Sequence, residues 1–510
     1  MLRTICTLSL PLALLLTACT GDDIGATDTQ TGTATDSDPT TSTSSTTTTS
    51  GATTTTAGTT MSSTSSTSAG TETDTAATTS TTTGVEPECT KEGEADDACA
   101  AEVPFCQDGK CVDCSGAGGD ASCSALDPNA GVCAEGSCVQ CTMENAGACV
   151  GTSPVCDTES SSCVKCTEHV QCGDVACNLV DGSCFAIDYV LYVDKTADCA
   201  NGTGAVDAPF CTLVEAFAKI GEPDNLAAAW TVRVQAGTYS APVHQTPDNS
   251  TIAVLSQGGP TIIRSSENAA PGLTTGQSSV LFMRGLVFSL SSSSGLKCSG
   301  ATIFGDDVQA RTNEDYGIET VDCDSHLRRA LISQNQEGGI ASYGAGSTNI
   351  VNSYVTANGT ALSEFGGIRS AQGNALNVLY SSVISNDGDV VASIQCVDAS
   401  PGEVRNSVVI GRTNMPSVAC DNAVISGSVV DDGEDQGDGN YPANSNDLKS
   451  LFENAVGGIY RVKALVDDLP SPIAEVAIWL TGDPKTDYDG HARAAVDSMP
   501  GFPGADVPAP

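Results

Sequence analysis

Apolar and polar positions divide the 510 residues into segments of different character. A short apolar run, Leu8–Leu16, follows a single early cation, Arg3. It is shorter than the roughly 20 apolar residues that span a bilayer, and it reads as the greasy part of an export signal over residues 1–18. No later stretch is long and apolar enough to cross. Residues 19–88 form the next segment. After Cys19 it is almost entirely Thr, Ser, Gly and Ala, with a few acids and no Lys or Arg. Such a stretch cannot bury enough apolar surface to fold. As a coil of about 69 residues it reaches on the order of 45 Å.

From residue 187 the pattern becomes β-rich. Tyr189–Val193 alternates as a strand. Thr212–Ile220 places Leu213, Ala216, Phe217 and Ile220 at i, i+3, i+4 and i+7, which predicts a short amphipathic helix. Thr231–Val234 is a further strand. The helix has the apolar face needed to cap the open end of a strand stack.

The middle of this region then repeats. "GLKCSGATIFGD", "GIETVDCDSHLRRALISQN", "GIASYGAGSTNIVNSYVTAN" and "GIRSAQGNALNVLYSSVISN" each begin with Gly and an aliphatic residue. Gly295, Gly317, Gly339 and Gly367 lie 22, 22 and 28 residues apart. The later copies "GEVRNSVVIGR" and "NAVISGSVV" are looser. One such unit is one circuit of a parallel β-helix, with neighbouring circuits about 4.8 Å apart. A sandwich would show hairpin turns and a propeller longer blades. Asn335, Asn358 and Asn386 each end a strand, where Asn tolerates left-handed φ and can ladder with the Asn above it.

Cysteine usage sets the compartment. Of 24 cysteines, those between Cys89 and Cys184 fall into four groups of four, which begin at Cys89, Cys114, Cys141 and Cys166. Such density belongs outside a reducing cytosol. The units over residues 89–186 share an ending, seen in "PFCQDGKCVDC" and "GVCAEGSCVQC". Units this small need staples, and within each the pairing has three solutions. Zinc is the rival reading of Cys111-x2-Cys114 and its repeats, and export and the even count speak against it. In the β-region, Cys298 and Cys323 are 25 residues apart, and Cys396 and Cys420 are 24 apart. Each pair is one circuit apart, within disulfide range. Cys199 and Cys211 would close the loop before the helix.

Charge changes the picture of partners. A net charge of -42 repels nucleic acid, so no nucleic-acid partner is expected. For chemistry, the densest mixed cluster is "VDCDSHLRR". Here Asp322 and Asp324 share a face if they lie on a strand, beside His326, Arg328 and Arg329. A carboxylate pair with Arg328 could do acid–base work. The competing reading is a charge-balanced turn beside a disulfide, and no catalytic residue is assigned. The acid run "DDGEDQGDGN" offers Asp431, Asp432, Glu434, Asp435 and Asp438 as Ca²⁺ ligands, the one cofactor in view. It lacks EF-hand order, and a solvated loop is the alternative. No P-loop, nucleophile elbow or dinucleotide fingerprint is present.

Some motifs carry resemblances. Leu16-Thr17-Ala18-Cys19 resembles a bacterial lipobox, which implies cleavage before Cys19 and a diacylglyceryl group on its thiol. An ordinary export signal with a chance cysteine is the alternative. Thr20 in place of Asp implies outer-membrane sorting. The partner implied is thus the membrane, reached through a lipid anchor at the cell surface. The cysteine units resemble the spacer or protein-contact repeats of bacterial surface proteins. "GTGAVDAPFCTLVEA" with "VRVQAGTY", and later "LFENAVGGIYRVKA", "SPIAE", "DYDGHARAAVD" and "GAD", resemble the opening and closing sequences of the pectin-lyase-like superfamily. That likeness implies a mainly β fold, a right-handed parallel β-helix over 187–510. Lyases of that group hold uronates through Ca²⁺ and use Arg or Lys as base, and its hydrolases use clustered Asp. The function expected is non-catalytic display of the β-helix for binding glycan or a surface protein. The alternative is a polysaccharide lyase or glycoside hydrolase acting on acidic polysaccharide.

Overall fold

Short strands pair in parallel with the strand one circuit before and one circuit after, and this builds a parallel β-solenoid of about nine turns. The computed structural model describes residues 88–508, except 92–93, 101, 399, 413–414, 432–438 and 454–459. The export signal, Cys19 and the tether lie outside the described residues. Three sheets run along the solenoid. Sheet A includes Thr302–Asp306, Asp324–Arg328, Ser347–Val351 and Ala375–Leu379. Sheet B includes Gln309–Arg311, Leu331–Ser333, Tyr354–Thr356 and Ser382–Ile384. Sheet C includes Tyr316–Val321, Gly338–Tyr343, Ile368–Ala371 and Ile394–Cys396.

Single residues with positive φ turn the corners. Asp307, Arg329, Asn352 and Tyr380 stand between sheets A and B, at φ 54, 51, 48 and 45°. Thr312, Gln334, Ala357 and Ser385 end the sheet B strands, at φ 55, 58, 55 and 58°. The left-handed residue is therefore the one before each asparagine, and not the asparagine itself. The asparagines ladder instead. Asn313, Asn335 and Asn358 each donate from Nδ2 to Oδ1 of the next, ending on Asn386, at 2.8, 2.8 and 3.0 Å. Each Oδ1 also takes a backbone N–H from the circuit before. A serine column does the same at the other corner. Ser353, Ser381, Ser407 and Ser428 each accept, through Oγ, a backbone N–H from the preceding circuit.

The asparagine column and the backbone carbonyls of the next circuit together explain the glycine period. A Cβ on Gly317 would stand 2.7 Å from Nδ2 of Asn335, and one on Gly339 would stand 2.5 Å from the carbonyl oxygen of Gly367. The column and the neighbouring backbone leave no room for a side chain there. Just beyond, Leu296, Ile318, Ile340, Ile368 and Ile394 stack in register inside the solenoid, all fully buried. Complete burial of each is worth about 1.5–3 kcal/mol. The 28-residue circuit keeps this register because its extra residues lie outside the strands, nearly all of them between Thr356 and Ile368 and one between Tyr343 and Ser347.

The amphipathic helix spans Leu213–Ile220, one residue shorter than the pattern suggests because Thr212 is its N-cap in a capping box with Glu215. Its buried face, Leu213, Ala216, Phe217 and Ile220, joins the core with Leu191 and Val232 at the first circuit.

Every cysteine from Cys89 onward is disulfide-bonded. In the four units the first cysteine bonds the third and the second bonds the fourth, as in Cys89–Cys106 and Cys99–Cys111. No thiolate is left for zinc among them. The first two hairpins turn through Asp108-Gly109 and Glu135-Gly136, both residues of each at positive φ, which fits the twist of a two-residue hairpin. In the solenoid the bonds are Cys199–Cys211, Cys298–Cys323 and Cys396–Cys420. Cys298 pairs in the ladder with Thr320, so its bond reaches diagonally past the next corner to Cys323, with Cα atoms 6.3 Å apart.

Two faces of the solenoid are covered. The fourth cysteine unit lays Val175, Ala176 and Phe185 on Ala253, Leu255 and Phe282 of sheet A. The closing segment covers sheet B, where Tyr354, Ile384, Val408 and Ile410 meet Leu451, Phe452, Val462, Ile473 and Ala505. This is why sheet B strands such as Tyr354–Thr356 and Val408–Ile410 are buried at every position. Arg493 anchors the closing segment. Its Nη2 donates to the carbonyls of Gly504 and Ala505 and to Oδ1 of Asn352, and its guanidinium lies 4.2 Å from the Tyr380 ring centre.

Candidate functional site

Outward positions on sheet A repeat with the circuit, so side chains stack in columns along the solenoid axis. Phe282 pairs with Phe304, Phe304 with His326, His326 with Asn349, and Asn349 with Asn377. The rings of Phe282 and Phe304 stack at 4.9 Å, and those of Phe304 and His326 at 4.6 Å. Nδ2 of Asn349 lies 3.5 Å from Nδ1 of His326, continuing the column as amides. Burial keeps the His326 imidazole below its ordinary pKa against the pull of Asp324, so it is neutral near pH 7.

A second column stands beside the first. Asp306 pairs with Arg328, which donates to it from Nε at 3.0 Å and from Nη2 at 2.6 Å. Adjacent residues on a strand face opposite ways, yet Asp307 and Arg329 also pair, at 2.7 and 3.1 Å. Both are left-handed corner residues, and the corner turns them outward beside their neighbours.

These arginines hold the fourth cysteine unit. Nη2 of Arg328 donates to the carbonyl of Thr167 at 3.2 Å, and Nη1 of Arg329 reaches Glu168 at 3.4 Å. Further along, Arg233 donates to the carbonyl of Gly173 and faces Asp174. His169 is buried in the same contact, edge-on to Phe282, with Nδ1 accepting the Cys177 N–H. Burial, helped by Arg284 and Arg328 and opposed by Asp306, brings its pKa down to about 4.

Between the unit and sheet A lies a groove of about 320 Å³, lined by Thr167, Leu179, Phe304, His326, Arg328 and Asn349 among others. It is the candidate site. Arg328 is in its wall, engaged with Asp306. Asp324 opens its strand, is exposed, and accepts from Oγ of Ser347 at 2.9 Å. Asp322 is not on the strand: it is a corner residue at φ 52° and accepts the Ala345 N–H. The i, i+2 rule therefore does not bring the two carboxylates to one strand face. Of the acid run, Asp432, Glu434, Asp435 and Asp438 lie outside the described residues. Asp431 ends a strand and accepts from Ser417 Oγ at 2.9 Å. The ring column was missed in the sequence, although Phe282, Phe304 and His326 carry the same step of 22 as the glycines.

A family described as "Family of unknown function (DUF8331)" matches residues 74–190, across the cysteine units. No curated protein matches the chain. Among solved structures, pectate lyase Pel9A is 14% identical over 64% of this chain and 98% of its own, with a TM-score of 0.38. ORF18 of Geobacillus virus E2 is 12% identical over 48% of each chain, at 0.29. The A-module of the Azotobacter vinelandii mannuronan C-5 epimerase AlgE4 is 12% identical over 47% of this chain and 75% of its own, at 0.26.

Proposed function

We propose that the protein is a lipid-anchored outer-membrane surface protein, held at Cys19, whose solenoid binds an extended glycan along sheet A without cleaving it. The observation that carries this reading is the outward column Phe304, His326, Asn349 and Asn377 beside the groove. Ring faces and amides at a regular step suit a polymer of rings and hydroxyls. Cleavage asks for an acid and a base free to exchange protons with substrate. Here Arg328 is engaged by Asp306 and the Thr167 carbonyl, and Asp322 and Asp324 stand on different elements.

The test is a glycan array probed with the secreted chain, alongside Phe304→Ala and His326→Ala. Binding by the parent, weakened at least tenfold in both variants, with no new reducing or unsaturated ends, supports the reading. Release of such ends, or equal binding by all three proteins, overturns it. For the anchor, Cys19→Ser should abolish incorporation of a labelled fatty acid into the protein.

A further inference from the structure

The closing segment brings two carboxyl groups together out of reach of water. Asp487 and Asp506 are both fully buried and in hydrogen-bonding contact with each other. Asp487 is well supplied with donors: its Oδ1 accepts the His491 N–H at 2.7 Å and its Oδ2 the Val507 N–H at 3.0 Å. Asp506 takes Nε of Arg461 on Oδ2 at 3.0 Å, while its Oδ1 has no donor. A buried oxygen without a donor is costly, and two carboxylates in contact repel. One proton between them removes both penalties.

The surrounding charges are short by the same amount. Facing the pair are Arg461, which also holds Asp489, and Arg493, whose charge acts on both carboxyls. His491 lies with Nδ1 3.3 Å from Asp487 and 3.9 Å from Asp506. The hydroxyl of Tyr354 is buried without a partner, and Tyr488 packs edge-on to that ring, itself near Asp307 and Arg329. With the His491 imidazole neutral, Asp487, Asp489 and Asp506 set against two arginines leave one negative charge uncompensated. A proton balances it, whereas a divalent cation would overshoot.

We infer that Asp487 and Asp506 hold a single proton between them, and that this proton locks the closing segment onto sheet B. Burial, then contact with Asp487, push Asp506 up to about 7 against the pull of Arg461. Burial would raise Asp487 as well, but the bond from Asp506 and the two backbone N–H groups outweigh it and hold it low. A carboxyl raised in the folded state gives stability that is complete below its unfolded value, near 4, and is lost as pH climbs through about 7. The lock therefore tightens in mild acid and loosens in mild alkali.

The experiment is thermal unfolding of the disulfide-intact chain from about pH 5.5 to about pH 8.5, with infrared spectra of the carboxyl region. The parent should lose about 2–4 °C in midpoint across that range. It should also show a protonated-carboxyl carbonyl band near pH 6 that is gone near pH 8.5. Asp506→Asn keeps the acceptor for Arg461 and puts an N–H where the proton was. It should fold, lack the band and have a nearly flat profile. Asp487→Asn, which replaces one of the two oxygens accepting from His491 and Val507 with an NH2 donor, should lower the midpoint at every pH. His491→Gln should keep both band and slope. A parent without the band, or a slope that vanishes in His491→Gln but persists in Asp506→Asn, overturns the inference. So does recovery of the high-pH midpoint by Ca²⁺ that is abolished by Asp506→Asn, since the pair would then be a cation site.

Discussion

Asn358 is the place where the solenoid can be tested most directly. Its side chain is almost fully buried and joins three circuits. Oδ1 accepts the backbone N–H of Asn335 at 3.2 Å and its Nδ2 at 2.8 Å. Nδ2 donates to the carbonyl of Ile332 at 2.9 Å and to Oδ1 of Asn386 at 3.0 Å. Asn358→Ala strips the acceptor from the Asn335 backbone N–H and from one Nδ2 hydrogen, while the other still reaches the Ala310 carbonyl at 3.0 Å. Asn386 still receives the backbone N–H of residue 358, so its Oδ1 keeps one donor. Two buried orphan donors at about 1–3 kcal/mol each set a range of about 2–6 kcal/mol, and water admitted to the vacated space brings the expected loss to about 3 kcal/mol. Asn358→Asp keeps the volume but turns an acceptor toward Ile332 and Asn386, and should do no better than alanine. Asn349→Ala, on the outer face with contacts no shorter than 3.2 Å, should cost under about 0.5 kcal/mol. The assay is urea unfolding with disulfides intact, followed by far-ultraviolet circular dichroism. If Asn358→Ala falls within about 1 kcal/mol of the parent, or if Asn358→Asp is as stable as the parent, the column is ornamental and the account of the repeat fails.

Gly339→Ala forces a Cβ to within 2.5 Å of the Gly367 carbonyl and 2.7 Å of the Val355 side chain, so it should cost about 1–3 kcal/mol in the same assay. An unchanged midpoint would mean that the glycine step is not imposed by the close approach of the next circuit. Arg329→Ala removes the bidentate hold on Asp307 and the reach to Glu168, and should speed limited proteolysis between residues 164 and 190 while sparing the solenoid. Identical cleavage rates would show that the apolar seat around Phe282 holds the unit by itself.

The step of 22 residues and the cap helix were legible because they rest on local rules: a glycine where a neighbour intrudes, and apolar residues at helical spacing. The Asn column was legible in part. Its members at 335, 358 and 386 stood out at strand ends, but the left-handed residue sits one position earlier, and propensity alone assigns it wrongly to Asn. Ala357 and Tyr380 in that conformation show the stack overriding intrinsic preference. The disulfide pattern within the cysteine units was illegible, because spacing is compatible with every pairing and only the hairpin geometry selects one. The seat of the fourth unit was equally hidden. It depends on Thr167 and Glu168 meeting Arg328 and Arg329 across 161 residues, a contact with no trace in linear spacing.

The same geometry explains why "VDCDSHLRR" misleads as a catalytic cluster. In a solenoid the nearest neighbour of an outward side chain is the residue one circuit away, at strand spacing, and not the residue two along the chain. Each member of the cluster is therefore drawn into a different column. His326 joins Phe304 and Asn349, Arg328 joins Asp306, Arg329 joins Asp307, and Asp324 meets Ser347. A site in such a molecule has to be sought by comparing equivalent positions of successive circuits. Read that way, the informative string is vertical: beyond Phe282, which the fourth cysteine unit covers, Phe304, His326, Asn349 and Asn377 form one outward row, rings giving way to amides. A row that changes from ring faces to hydrogen-bonding amides over four circuits presents graded chemistry to anything lying along it. An extended ligand can register against that gradient in one direction only, whereas a uniform column would let it slide.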